Sequence, residues 1–232
     1  VAVVGSGPAG ITAAQDLAEA GYEVHLYEMT DRLGGMVIWG IPAFRLPPEV
    51  IREDIQRILT HCPGIKVHLN TALGDHSEPF ASGTVTQVTL DELKERHDVV
   101  VLAIGSWWGK TLGIPGENDP RVVDGVSYLR RINVGERPET PETVLVVGSG
   151  DVAMDACRVA KRLPGCKNVK VLYRRGPDEI PARQDELRGA IAEDIEFVYY
   201  TQPVEVIASD EYVTLRCVKT ELGEPEADGR RR

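Results

Sequence analysis

The sequence predicts a doubly wound α/β protein of two units, each a parallel sheet with helices on both faces. Three observations carry this. Apolar runs without polar alternation recur along the chain, as expected of parallel strands buried on both faces. Helical patterns lie between them, so strand and helix alternate twice over. One opening, valines then a glycine-rich turn then a helix, occurs at residues 5–10 (GSGPAG) and again at 148–153 (GSGDVA).

In chain order, the predicted strands are residues 1–4, 24–27, 99–104, 144–147 and 169–173. Residues 9–20 are strong helix formers that stop at Gly21. Residues 48–59 begin with proline in the first turn and place Ile51, Ile55 and Ile58 on one face. A short helix is expected over 126–132, and another over 152–163, ending before Pro164-Gly165. Two loop-rich segments, 113–120 and 133–143, read as joints. The expected organisation is therefore a first domain over 1–120, a connecting helix and linker over 121–143, and a second domain over 144–232. Trp107 and Trp108 are expected to pack the joint between the halves.

Composition narrows the function. The net charge of −10 argues against a nucleic-acid partner, because phosphate binding needs a basic face. The longest apolar run, VVVLAIG at 99–105, is too short for membrane insertion. Cys62, Cys157, Cys166 and Cys217 are scattered without CxxC spacing, so no metal or iron–sulfur site is expected within the chain. Scattered cysteines and no signal peptide suit a cytoplasmic location. The chain begins at Val1, already inside a strand, and ends in Arg230-Arg231-Arg232 after LGEPEADG. It reads as an excerpt of something longer, so the missing signal carries little weight.

Both glycine turns have the spacing of Rossmann-like dinucleotide-binding domains. In the first, Gly5 allows the tight turn, Gly7 lets the backbone approach a pyrophosphate, and Gly10 lets helix pack on strand. The helix start, with Pro8 and Ala9, then turns free N–H groups toward the phosphates. Glu28 ends the next strand, where a carboxylate can accept from ribose hydroxyls. Gly34-Gly35 offers backbone without side chains, useful where a flat cofactor must be approached.

The stretch EMTDRLGGMVIWGIPAFRLP (28–47), followed by VVVLAIGSWWGKTLGIPGEN (99–118), VVGSGDVAMDACRVAKRL (146–163) and YRR with IPAR soon after, resembles one family. It is similar to the small (beta) subunit of glutamate synthase and to the flavin and NADPH domains of dihydropyrimidine dehydrogenase. The resemblance covers nearly the whole chain and implies FAD on the first turn. It implies FAD contacts from Gly7, Pro8, Ala9 and Gly10 at the pyrophosphate and from Glu28 at the adenosine ribose. It further implies that Arg32, Gly34 and Gly35 lie along the cofactor, Arg45 near it, and Ala103 and Gly105 where the chain passes close. Ile104 departs from the threonine more common there. Read without the family, Arg32 and Arg45 are surface charges.

The second turn, Gly148, Gly150, Asp151, Val152 and Ala153, ends in alanine, a permitted variant. Arg174-Arg175 follow the next strand where an NAD site would carry an acid. A guanidinium pair holds the 2′-phosphate of NADP, which an acid would repel, so NADPH is expected over NADH. Arg183 is a further candidate for that phosphate, against the plainer reading of a helix-surface charge. Asp151 and Asp155 suit the helix dipole.

Two turns imply two dinucleotides and hydride transfer from nicotinamide to flavin, with no acid–base residue nominated. A disulfide reductase would need a redox cysteine pair, and the segment after Gly35 has none. The resemblance implies onward electron transfer to iron–sulfur clusters in a domain or partner outside this chain, as part of a larger chain or complex. It also implies a later Gly-Asp return segment; Gly74-Asp75 is too early and Gly150-Asp151 belongs to the second turn. The excerpt alone is therefore expected to bind FAD poorly. Three readings stay open at this point: an NADPH-oxidising flavin enzyme module, an electron-relay subunit with no substrate of its own, and a nucleotide-binding module without chemistry.

Overall fold

The computed structural model describes residues 1–74 and 84–224. Asp75 and the tail from Pro225, including Arg230–Arg232, lie outside the described residues. The described chain forms two compact units, Val1–Trp107 and the part from Trp108 onward.

The first unit runs β1 (Ala2–Val4), α1 (Pro8–Glu19), β2 (Val24–Tyr27), α2 (Met36–Trp39), α3 (Pro48–His61), β3 (Ile65–His68), β4 (Thr71–Leu73), β5 (Thr86–Val88), α4 (Leu90–Arg96) and β6 (Val100–Leu102). The strands β3-β2-β1-β6 form a parallel sheet in that order, with β1 and β2 in its centre. Alternate residues of β1 face opposite sides. Val3 joins Leu26 and Val24 under Ile11, Ala14 and the half-buried Ile55 and Ile58, so α1 and α3 cover one face. Ala2 and Val4 join Tyr27 and Leu93 of α4 on the other. Each such buried Leu or Ile contributes about 1.5–3 kcal/mol relative to exposure. Beside the sheet, β4 and β5 pair in parallel.

That second face also carries a histidine cluster at the sheet margin. His25 Nδ1 lies 3.0 Å from His68 Nε2, and Tyr27 Oη lies 3.0 Å from His97 Nε2. The His25 and His68 rings stack at 5.1 Å, and Tyr27 stacks on His68 at 4.6 Å. Burial pushes the His68 and His97 imidazoles below their ordinary value, with His25 and Lys66 adding to this at His68 and His25 and Arg96 at His97. The unfolded chain therefore takes up protons on these rings before the folded chain does. Their stabilisation is complete above the ordinary histidine value of about 6.5 and is lost as pH falls below it. The melting temperature of a His68→Gln/His97→Gln variant is expected to fall less steeply than wild type between about pH 7 and 5. Parallel pH profiles for the two proteins would contradict this.

The second unit runs α5 (Gly125–Asn133), β7 (Thr143–Val147), α6 (Asp151–Arg162), β8 (Asn168–Leu172), a 3₁₀ turn (Pro177–Glu179), α7 (Gln184–Ala192), β9 (Glu196–Val198), β10 (Thr201–Ala208) and β11 (Val213–Lys219). Its parallel sheet has the order β7-β8-β9, and β10 and β11 form an antiparallel hairpin. Met154 and Cys157 of α6 pack on Val169 and Val171. Arg158 ties α6 to α7 through Glu186 at 2.7 Å and to Glu193 at 2.8 Å. The loop Gly113–Pro120 docks on the hairpin, where Val206 N–H donates to the Pro115 carbonyl at 2.9 Å.

Two expectations need correction. β7 is not buried on both faces: Thr143, Leu145 and Val147 are exposed, because the core packs only on the face that carries Val144 and Val146. The predicted strand over 99–104 is shorter, and Ile104 turns out to solvent. Trp107 packs edge-on against Trp39 in the first unit, and Trp108 lies under the Arg130 guanidinium in the second. Among the described residues no helix is long and apolar enough to cross a membrane.

Candidate dinucleotide sites

The first turn is shaped by three close backbone approaches. Gly5 has φ +98°, and a Cβ there would stand 2.4 Å from the Ala103 carbonyl oxygen. A Cβ on Gly10 would stand 1.8 Å from the Gly5 carbonyl oxygen. Gly35, at φ +53°, lies so near that its Cβ would be 2.7 Å from Gly7 Cα. The 5–10 turn, Gly35 and Ala103 thus converge from three chain segments. Gly7 differs: a Cβ there would meet nothing within 4 Å. The space beside it is open.

α1 starts at Gly7 with no side-chain cap, as α3 and α7 do, whereas α4 is capped by Thr89 and α5 by Asp124; the bare glycine at its start sets α1 apart from α3 and α7. Pro8 and Ala9 at its start are exposed. A helix whose first N–H groups find no side-chain cap among the described residues can receive an anion, here beside a position bare of side chain.

Glu28 lies beneath this turn and is only 3% exposed. Its Oε2 accepts from Ser6 N–H at 3.1 Å and from the Ser6 hydroxyl, and its Oε1 accepts from Thr30 N–H at 2.9 Å. Thr30 Oγ1 stands 2.8 Å from the same oxygen. Gly34 N–H donates to Ser6 O at 3.0 Å, which fixes the Gly34-Gly35 turn against the first one. Ser6 and Thr30 were not singled out in the sequence. The signal available was a small hydroxyl residue inside a buried glycine turn and another two positions past the acid.

Arg32 is paired with Asp31 at 2.9 Å, its guanidinium 4.6 Å from the Trp39 ring. Arg45 is half-buried in the turn after α2, where its N–H donates to Pro42 O at 2.9 Å. Gly105 is exposed, at φ +64°.

The second turn repeats the backbone bond and the bare helix start of the first. Gly148 N–H donates to Leu172 O at 3.0 Å, as Gly5 N–H donates to Tyr27 O at 2.8 Å. α6 starts at Gly150 with no side-chain cap, and a Cβ on Gly150 would meet nothing within 4 Å. This register puts Tyr173 level with Glu28, and Arg174 and Arg175 level with Met29 and Thr30. The acid's place is thus taken by a phenol, whose hydroxyl donates to Glu179 O at 2.6 Å. Ser149, the counterpart of Ser6, is buried, and its hydroxyl has no hydrogen-bond partner among the described residues.

The arginine pair is held by its backbone. Thr220 Oγ1 donates to Arg174 O at 2.5 Å and Tyr200 N–H to Arg175 O at 3.2 Å. Arg174 is exposed; Arg175 is half-buried beside the Tyr173 ring, with its Nε lacking a partner among the described residues. Arg183 immediately precedes α7. Its N–H donates to Asp151 Oδ1 at 3.0 Å, and its guanidinium pairs with Asp151 at 3.6 Å. Val152 is exposed and Ala153 buried at the start of α6. Cys157 is buried, and burial pushes its thiol up to about 12, which leaves it protonated and unreactive at neutral pH. All four thiols are free.

Two parallel α/β units, each opening strand, glycine turn and uncapped helix, define an oxidoreductase fold of the two-dinucleotide class. The chain belongs to the pyridine nucleotide-disulphide oxidoreductase family, whose model matches residues 1–229. It is 36% identical over 236 residues to the NADP(+)-dependent formate dehydrogenase subunit beta of Moorella thermoacetica, across 100% of this chain and 31% of that one. It is 34% identical over 243 residues to the glutamate synthase (NADPH) small chain of Azospirillum brasilense, across 99% of this chain and 47% of that one. The NADPH-Fe(3+) oxidoreductase subunit beta of Geobacter sulfurreducens matches at 36% over 239 residues, across 100% of this chain and 34% of that one. These matches bear out the resemblance carried by EMTDRLGG and GIPGEN. The chain spans between about a third and a half of these relatives. In fold it is similar to the oxidoreductase FprA of Mycobacterium tuberculosis, with a TM-score of 0.82 at 22% identity over 100% of this chain and 66% of that one.

Proposed function

We propose that the chain is the nucleotide-binding module of a flavin-dependent oxidoreductase that passes hydride from NADPH to FAD and electrons onward to iron–sulfur clusters or a partner subunit. The observation that carries this is the pair of uncapped helix starts, each beside a glycine with open space at its Cβ position. The first site suits FAD, with the pyrophosphate against Gly7 and the α1 N–H groups and the adenosine ribose toward Glu28. The second suits NADPH, with the pyrophosphate at Gly150 and α6 and the 2′-phosphate toward Arg174 and Arg175. The buried Arg175 Nε is a donor in need of an acceptor, which a phosphate oxygen supplies. When bound, flavin and nicotinamide supply the redox chemistry; the chain's residues bind, orient and exclude water.

The names of the relatives support the onward path, since several are beta or small subunits. They favour equally a relay subunit without a substrate of its own. The scattered thiols suit a cytoplasmic protein. The full-length protein, reconstituted with FAD under anaerobic conditions, is expected to lose its visible flavin absorbance within seconds of adding NADPH and much more slowly with NADH. Unchanged absorbance with both nucleotides would remove the enzymatic reading.

A further inference from the structure

The Glu28 carboxylate is already saturated. Each of its oxygens offers about two acceptor sites. Ser6 N–H and the Ser6 hydroxyl fill Oε2, and Thr30 N–H fills Oε1 together with the Thr30 hydroxyl when its proton is turned to Glu28. A ribose hydroxyl can bond this carboxylate only if one protein donor lets go, and a buried donor that lets go without another acceptor weakens binding.

The two hydroxyls differ in this respect. Among the described residues Ser6 Oγ donates to Glu28 alone, and it accepts from Gly34 N–H at 3.2 Å. Thr30 Oγ1 stands 2.8 Å from Glu28 Oε1 and also 2.8 Å from the Arg32 carbonyl. It accepts from Trp39 Nε1 at 3.3 Å, and Thr30 is fully buried. One hydroxyl proton serves two equidistant acceptors. We infer that Thr30 is a positioning residue whose hydroxyl turns from Glu28 to the Arg32 carbonyl when a nucleotide binds, and so hands one lone pair of Oε1 to the adenosine ribose. The turn is a rotation about a single bond. It leaves the Thr30 proton bonded throughout, and Glu28 exchanges one donor for another. This rests on the reading of the first site as an FAD site.

The test is FAD titration of the full-length apoprotein carrying Thr30→Val or Thr30→Ser, with apoprotein melting measured alongside. Thr30→Ser keeps the proton and is expected to match wild type in both. Thr30→Val removes the competing donor and takes one bond each from the Arg32 carbonyl and Trp39 Nε1, so the apoprotein is expected to melt lower. Its Glu28 is left short of a donor, so FAD is expected to bind roughly two- to tenfold tighter. A threonine that only packs the loop gives the opposite sign: lower stability and weaker binding together. Weaker or unchanged FAD affinity in Thr30→Val with wild-type affinity intact overturns the exchange alone. Wild-type protein that takes up no FAD overturns the underlying site reading. If Thr30→Val does not fold, Thr30→Ala is read by the same signs.

Discussion

Gly7→Ala is expected to fold nearly as the wild type and to lose FAD, whereas Gly10→Ala is expected to lose the turn itself. The two glycines are three residues apart and both belong to the fingerprint, but their surroundings differ. A Cβ on Gly10 would sit 1.8 Å from a backbone oxygen and 3.4 Å from the Ala103 Cβ, with no flexible side chain to give way. Helix α1 must lift off the turn, at a cost of about 3 kcal/mol or more. Gly7 is the start of α1 with φ −66° and ψ 179°, a conformation any residue adopts, and its Cβ would enter open space. The fold loses about 1 kcal/mol or less, the difference between glycine and alanine at a helix start. That open space is where a diphosphate has to come. One methyl group there pushes it off the helix N–H groups, and FAD affinity is expected to drop by roughly 100-fold, or ~2.7 kcal/mol. Gly150→Ala repeats the experiment in the second unit and is expected to weaken NADPH while leaving FAD bound. Melting curves of the apoproteins and flavin content after reconstitution measure both halves. Gly7→Ala protein that retains stoichiometric FAD would mean that the pyrophosphate lies elsewhere.

What the sequence made legible follows from how locally each feature is encoded. β2 has the predicted limits, and α1, α5 and α6 lie within a residue or two of theirs, because apolar runs, proline starts and glycine stops are local signals. α3 continues two residues past Leu59, to His61. α4 has no strong sequence pattern: LDELKER buries only Leu93, and its clearest mark is the Thr89–Glu92 capping box, a start signal without an apolar stripe behind it. β3, β9 and the β10–β11 hairpin are short or polar on one side and depend on their neighbours for assignment. Exposure of one face of β7 was not legible either, since TVLVV reads the same whether one face or two are covered.

The sites divide in the same way. Glycine spacing shows where a backbone must come close, but not what it comes close to. That Gly35 lies on Gly7 depends on residues nearly thirty positions apart meeting across a turn. The closure of Glu28 by Ser6 and Thr30 depends on hydrogen-bond geometry that no residue pattern encodes. Arg183 is open in the sequence between a third guanidinium for a phosphate and a plain helix-surface charge; the structure pairs its exposed side chain with Asp151 at the start of α6. The position of the arginine pair needed the strand register. The sequence puts Arg174 where an acid would stand, yet the Gly148–Leu172 bond puts Tyr173 there and moves both arginines one step further out.

That step decides the second large prediction. Replacing Arg174 by Ala and Arg175 by Gln is expected to lower kcat/KM for NADPH by roughly 100- to 1,000-fold and to change that for NADH by less than about threefold. A charge-assisted hydrogen bond is worth about 1.5–3 kcal/mol, and two of them account for this range. Arg174 is exposed, so its share is screened by salt, and the NADPH rate of the wild type should fall with ionic strength more steeply than that of the variant. Arg175 is half-buried beside Tyr173, so its share persists at high salt. No carboxylate occupies the place level with Glu28 to grip the 2′-hydroxyl of NADH, because Tyr173 stands there with its hydroxyl committed to Glu179. The variant should therefore become indifferent between the two nucleotides and not come to prefer NADH. Introducing that preference requires a further change at Tyr173, and the buried Ser149 hydroxyl below it is the donor that a carboxylate at 173 would satisfy, as Ser6 satisfies Glu28. Equal losses with NADPH and NADH in the arginine variant would instead make the pair a support for the strand end, already bonded through its carbonyls to Thr220 and Tyr200.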